Sequence, residues 1–260
     1  MVDLAHASLL IASEEYPDLD IQRYLEQLDA LAATLRSRLE DLRPAAVVAG
    51  LNRLLFAEEG FHGNQEDYYD PRNSFLNDVL DRRTGIPITL CTVYIEVGRR
   101  AGLDLDLEGV GLPGHFIVRV ADASAEILVD PFHGGAVLSE EDCQKRLDRI
   151  YEGRVKLAPA LLAPCERKAI LARLLRNLKA IYVKADDYPR ALKIVDLLVS
   201  LLPADPGEIR DRGLIHAALD CYALAAGDLE TYLEREPASP ETAALRQKIA
   251  EMRHQAARLN

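Results

Sequence analysis

Three side chains in this 260-residue chain have the types that acyl chemistry needs: Cys91 in "GIPITLCTVYIEVGRRAG", His115 in "LPGHFIVRV" and Asp130 in "ILVDPFHGG". A thiol becomes a nucleophile when a histidine within hydrogen-bond reach takes its proton, and a carboxylate behind the imidazole fixes the tautomer that does so. In that arrangement Cys91 attacks an amide carbonyl, His115 removes and returns the proton, and Asp130 orients the ring. Each residue also has a plainer use. A cysteine on an apolar helix commonly fills core, and Asp-Pro commonly makes a turn.

Other residues could serve the same cleft. The stretch "FHGNQEDYYDPRNS" concentrates Asn64, Tyr68, Tyr69, Asp70 and Asn73 in a loop that either closes over a groove, as a binding element, or packs on itself. His133, just after Asp130, is a further binding candidate or a simple loop residue. His62, His115 and His133 do not fall at metal-ligand spacing, so no metal and no other cofactor is expected. The four cysteines form no CxxC pair, and reduced thiols are expected.

The elements that must position these groups read as α+β. Residues 21–40 place Ile21, Tyr24, Leu25, Leu28, Leu31, Leu35 and Leu39 at helical spacing, with Asp18 or Asp20 as N-cap. A second helical run starts near Pro44 and stops at Gly60, and a short one covers 76–83. After the Cys91 helix, "LDLEGVGL", "HFIVRVA" and "AEILVDPF" predict three antiparallel strands, which would set His115 and Asp130 side by side. "SEEDCQKRLDRIY" is again helical, with Ser139 as N-cap and Asp142 at its third position. The start of the Cys91 helix has two solutions. With Pro87 as its first residue, Cys91 is the fifth and lies beyond the unpaired amides that activate a thiol. With Thr89 as N-cap, Cys91 is the second and lies among them.

The rest of the chain is helical and repeats. Pro203 and Pro237 are 34 residues apart, as are Pro206 and Pro240, Tyr188 and Tyr222, Ala191 and Ala225, and Ile181 and Ile215. That period, with paired helices ending in proline, is the signature of tetratricopeptide repeats. Charge divides the same way: 16 basic and 28 acidic side chains in 1–160, against 15 and 14 in 161–260. Two domains are expected, 1–160 and 161–260. The tail should present a groove for a peptide or protein partner, with Ala191 and Ala225 letting helices approach and Tyr188 and Tyr222 filling gaps between repeats. Two repeats are fewer than the three that usually stand alone, so the tail is expected to pack on the first domain.

The net charge of -11 argues against nucleic acid or anionic lipid as a partner. The first residues lack the basic start of a signal peptide, and there is no run of about 18 uncharged apolar residues, so a cytoplasmic protein is expected.

The quoted loop, "GVGLPGHFIVRV", "LVDPFHGG" and the repeats behind them resemble the bacterial transglutaminase-like proteins with a C-terminal tetratricopeptide segment, of the invasion-regulator type. The resemblance runs from about Ser8 to Ala250. It implies a place in the transglutaminase and papain-like superfamily, whose Cys-His-Asp triad has the cysteine at a helix N-terminus and its partners on strands. His115 and Asp130 match that pattern. The cysteine does not: counting back from Gly102, "GIP" holds the expected nucleophile position, and Cys91 lies one turn further in. Two functions follow, a cleft that binds a peptide or protein without turnover and, alternatively, a cysteine-dependent amide hydrolase or acyltransferase.

Overall fold

Asp3 and Asp20 accept hydrogen bonds from the amides of His6 and Arg23, and so start α1 (Leu4–Ser13) and α2 (Ile21–Arg38). They do so in a computed structural model that describes residues 3–238 and 240–259. The periodic face of α2 buries Tyr24, Leu28, Leu31 and Leu35. No amphipathic stripe announces α1, because its apolar residues fall on nearly every side. Pro44 opens α3 (Pro44–Asn52), which passes into a π-helical turn over Arg53–Glu58. That turn carries the predicted second helix to its end at Gly60.

Two-residue strands β1 (His62–Gly63) and β2 (Thr84–Gly85) pair in parallel, with α4 (Leu76–Arg82) between them in sequence. They tie the base of the polar loop to the start of α5 (Pro87–Arg100). Every residue of α5 from Pro87 to Gly98 is buried. The sheet beside it contains β3 (Asp106–Val110), β4 (Ile117–Ala121), β5 (Glu126–Asp130) and β6 (Ala136–Leu138), antiparallel and in that order. Helix and sheet approach closely at Gly98, where a Cβ would come 2.3 Å from Leu107. On the sheet's other side, Val110, Leu112, Leu128 and Leu138 pack with Cys143 of α6 (Glu140–Tyr151). Three antiparallel strands were expected here, and among the described residues this sheet has a fourth, β6, which at three residues is too short for an alternating pattern to register.

The chain divides into two compact units, Met1–Leu171 and Ala172–Asn260, and the division falls within α7 (Arg167–Lys184). The second unit continues with α8 (Tyr188–Leu201), α9 (Pro206–Ala218), α10 (Tyr222–Arg235) and α11 (Thr242–Leu259). Its 34-residue repeat reaches the backbone. Asp186 and Asp220 both turn left-handed, at φ 55° and 58°, and accept from the hydroxyls of Tyr188 and Tyr222. The amides of Asp187 and Cys221 return to the carbonyls of Tyr182 and His216, each at 2.9 Å. Ala191 and Ala225 are fully buried, as close helix packing requires. A groove of about 800 Å³ is lined by residues of α7, α9 and α11, among them the repeat-related Ala180, Leu214 and Lys248. No helix among the described residues is long and apolar enough to cross a membrane.

A buried ion network fastens the second unit. Glu208, 3% exposed, accepts from Arg176 at 2.7 Å and Lys179 at 2.6 Å. Glu208→Ala is expected to destabilise this unit by about 2 kcal/mol, below the full penalty for a broken buried pair, because Lys179 keeps Asp211 and Arg176 reaches solvent. Hydrogen exchange at α9 amides in the full chain should quicken roughly thirtyfold; no change would mean the network is solvated.

Candidate functional site

Strand pairing brings the polar residues together. Val118 lies opposite Val129, so His115, just before β4, and Asp130, last in β5, reach the same end of the sheet. His115 Nε2 is 2.9 Å from Asp130 Oδ2. Asp130 is 0% exposed and caps the turn Pro131–His133, its Oδ1 accepting from the amides of Phe132 and His133 at 3.1 and 3.3 Å. Its Oδ2 also receives His133 Nδ1 at 2.9 Å and the Arg146 guanidinium of α6 at 2.7 Å.

Burial pushes the Asp130 carboxyl up, but the hydrogen bond from His115 and the charges of His115, Arg146 and His133 outweigh it and hold it below the usual carboxylate range. An ionised carboxylate only accepts, so His115 Nε2 and His133 Nδ1 are the protonated nitrogens. In neutral His115 the basic nitrogen is then Nδ1, turned away from its orienting acid.

His115, Asp130 and His133 each offer a ligand atom, all within 4.8 Å of one another, which is close enough to surround a metal ion. Arg146 opposes that use. Its guanidinium already lies against Asp130 Oδ2, and its Nη1 comes within 3.3 Å of His133 Nδ1, so a second cation there would be repelled.

Cys91 stands apart from solvent. Pro87 is the first residue of α5 and Ile86 its N-cap, so Cys91 is the fifth helical residue. Thr89 is not the cap but the third residue; its hydroxyl accepts from the Ile86 amide at 3.1 Å and donates to the Asn73 carbonyl at 2.8 Å. The Cys91 side chain is 0% exposed, and its thiol donates to the Phe116 carbonyl at 3.4 Å, beside His115 in sequence.

The polar loop is largely self-fastened. The Asn64 amide donates to Asn73 Oδ1, and Asn73 donates to the carbonyls of Asp67 and Tyr68. Asp70 is buried against Arg72 and Arg82. Tyr68 and Tyr69 keep exposed surface, Tyr69 to 61%, and Tyr68 packs edge-on to Phe132, which in turn meets His115 and His133. Phe132 and His133 thus border the His115–Asp130 pair, Tyr68 stands behind Phe132 and Tyr69 behind Tyr68, whereas Asn64 and Asn73 hold the loop that carries the tyrosines.

Arg146 and Phe132 lie against the pair, and Gly135, with its partner Asn52, donates to the Asp130 carbonyl; none of the four was singled out from the sequence. Asn52 donates to the Gly135 carbonyl at 2.7 Å, and a Cβ at Gly135 would come 2.1 Å from Asn52 Oδ1. The double glycine after His133 was the one available signal, since both residues turn left-handed. For Arg146 there was none: only packing of α6 on the sheet brings it to Asp130.

Comparison with known proteins bears on the same stretch. Residues 22–176 match the family described as transglutaminase-like superfamily, and residues 178–252 match the tetratricopeptide repeat. A UPF0162 protein of Xylella fastidiosa strain Temecula1 is 39% identical over 240 residues, 91% of this chain and 85% of that protein. UPF0162 protein PA3419 of Pseudomonas aeruginosa is 33% identical over 250 residues, 96% and 90% of the two chains. UPF0162 protein YchA of Escherichia coli K12 is 32% identical over 245 residues, 92% and 88%. No solved structure matches. Because the family match spans α2 to α7, more than half of the chain and all of the sheet that carries His115 and Asp130, the chain belongs to the transglutaminase-like superfamily, with tetratricopeptide repeats behind that domain.

Proposed function

We propose that the transglutaminase-like domain, at about residues 1–160, binds a peptide or protein segment beside His115, Asp130 and His133 without turning it over, while the repeats dock a partner. The observation that carries this is the burial of Cys91, fifth in its helix with its thiol on the Phe116 carbonyl. At the helix start, where a nucleophile would meet unpaired amides, Pro87 offers no reactive group. What persists is a polar cluster with exposed Tyr68 and Tyr69 beyond Phe132, a surface suited to recognition. The groove along α7, α9 and α11 suits an extended or helical peptide.

A second reading, a cysteine-dependent amide hydrolase or acyltransferase, draws on the 2.9 Å His115–Asp130 pair, which has the form of a base with its orienter. Ammonia release from glutamine peptides, with and without an amine acceptor, separates the two. Wild type and Cys91→Ala should both remain at background. Release by wild type that Cys91→Ala abolishes would establish the enzyme.

A further inference from the structure

Within the first unit, residues of α1, α5, β3 and the start of α7 line two cavities of about 390 and 320 Å³ that share Arg99 and Arg167. The floor of the larger is apolar: Leu4, Ile95, Leu107 and Ile170 are each less than 5% exposed. The smaller is lined by Asp3, Glu96 and three arginines.

Most of these charges already have partners. Arg100 takes Asp29 at 2.7 Å, Asp3 at 3.3 Å and Glu96 at 3.4 Å. Glu108, beside the larger cavity, is held by Arg119 at 2.9 Å. Arg99 differs. Its Nε donates to the Leu107 carbonyl at 3.3 Å, which fixes the side chain, while its two terminal nitrogens hold no acid among the described residues. Lys168 lies on the rim, exposed and likewise without an acidic partner among them, next to the exposed Glu166. In a chain of net charge -11, cations left unneutralised over an apolar floor stand out as a site for an anion.

We propose that Arg99, with Lys168 at the rim, binds the carboxylate of a small ligand whose short apolar tail lies over Leu4, Ile95, Leu107 and Ile170. A guanidinium fork matches a carboxylate with two parallel hydrogen bonds. An inorganic anion would leave the apolar floor uncovered, and a neutral alcohol would leave Arg99 without its acid. The carboxylate comes either from a free aliphatic acid or from the C-terminus of a peptide.

Calorimetric titration of the full chain with hexanoate, N-acetyl-leucine, hexanol and inorganic phosphate tests this. One or both carboxylates should bind, with hexanol and phosphate at least roughly tenfold weaker. Tighter hexanoate assigns a free acid, and tighter N-acetyl-leucine a peptide end. Arg99→Gln should weaken the better acid roughly tenfold, and Lys168→Glu, at an exposed position that the fold does not use, several-fold. Failure of both acids to bind, equal binding of hexanol or phosphate, or undiminished binding by folded Arg99→Gln would overturn the proposal. If Arg99→Gln does not fold, undiminished binding by Lys168→Glu would do the same.

Discussion

Asp130→Ala is expected to lose about 3–5 kcal/mol of stability in the first unit. The carboxylate is fully buried and serves five donors: the amides of Phe132 and His133, the rings of His115 and His133, and the Arg146 guanidinium. Removing it leaves Arg146, only 22% exposed, beside a void with no counter-charge. Asp130→Asn, which keeps the volume and an acceptor, should recover part of the loss. Urea unfolding followed by hydrogen exchange at β4 and β5 reads this unit by itself. A loss under about 1 kcal/mol for Asp130→Ala would mean that these groups do not act as one network.

The same carboxylate sets an acid limit. Its folded pKa is depressed, so its contribution is complete above the unfolded value, about 3.9, and disappears as pH falls through the lower folded value. Wild type and Asp130→Ala should therefore differ fully at pH 5 to 7 and converge below about pH 4. A gap that is constant with pH would place the effect in packing rather than charge.

Where one local interaction decides an element, its sequence was legible. Asp20, one of the two candidates, caps α2, and Ser139 and Asp142 cap each other at α6, as their spacing predicts. The 34-residue spacing carries through to paired left-handed turns at Asp186 and Asp220. The juxtaposition of His115 and Asp130 follows from a short hairpin. Legibility ended where distant segments arbitrate. Both starts of α5 were locally sound, and a bond from Thr89 to the carbonyl of Asn73, 16 residues upstream, accompanies the Pro87 start. Nothing near position 146 in sequence marks it as the partner of Asp130. The amides of Asn64 and Asn73 look like a binding pair in a list of residues and are engaged with their own loop in three dimensions.

The depth of Cys91 leads to the sharpest expectation about function. Iodoacetamide near neutral pH should label exposed Cys221 readily and Cys91 at least about a thousandfold more slowly, since the reagent reaches Cys91 only through an opening that costs about 4 kcal/mol or more. Cys143 is an internal control: it too is buried, and burial pushes its thiol up, so it should also lag. If the Cys91 thiol is core filler held on the Phe116 carbonyl, its rate follows unfolding conditions, and His115→Ala changes it only as far as that substitution loosens the core. If it is a nucleophile, His115 activates it, and its labelling persists to about pH 6 where an ordinary thiol has faded. A pH-rate profile with peptide mapping, run on wild type and His115→Ala, distinguishes the two. Fast labelling of Cys91 below pH 7 that collapses in His115→Ala would make the hydrolase the better account of this site.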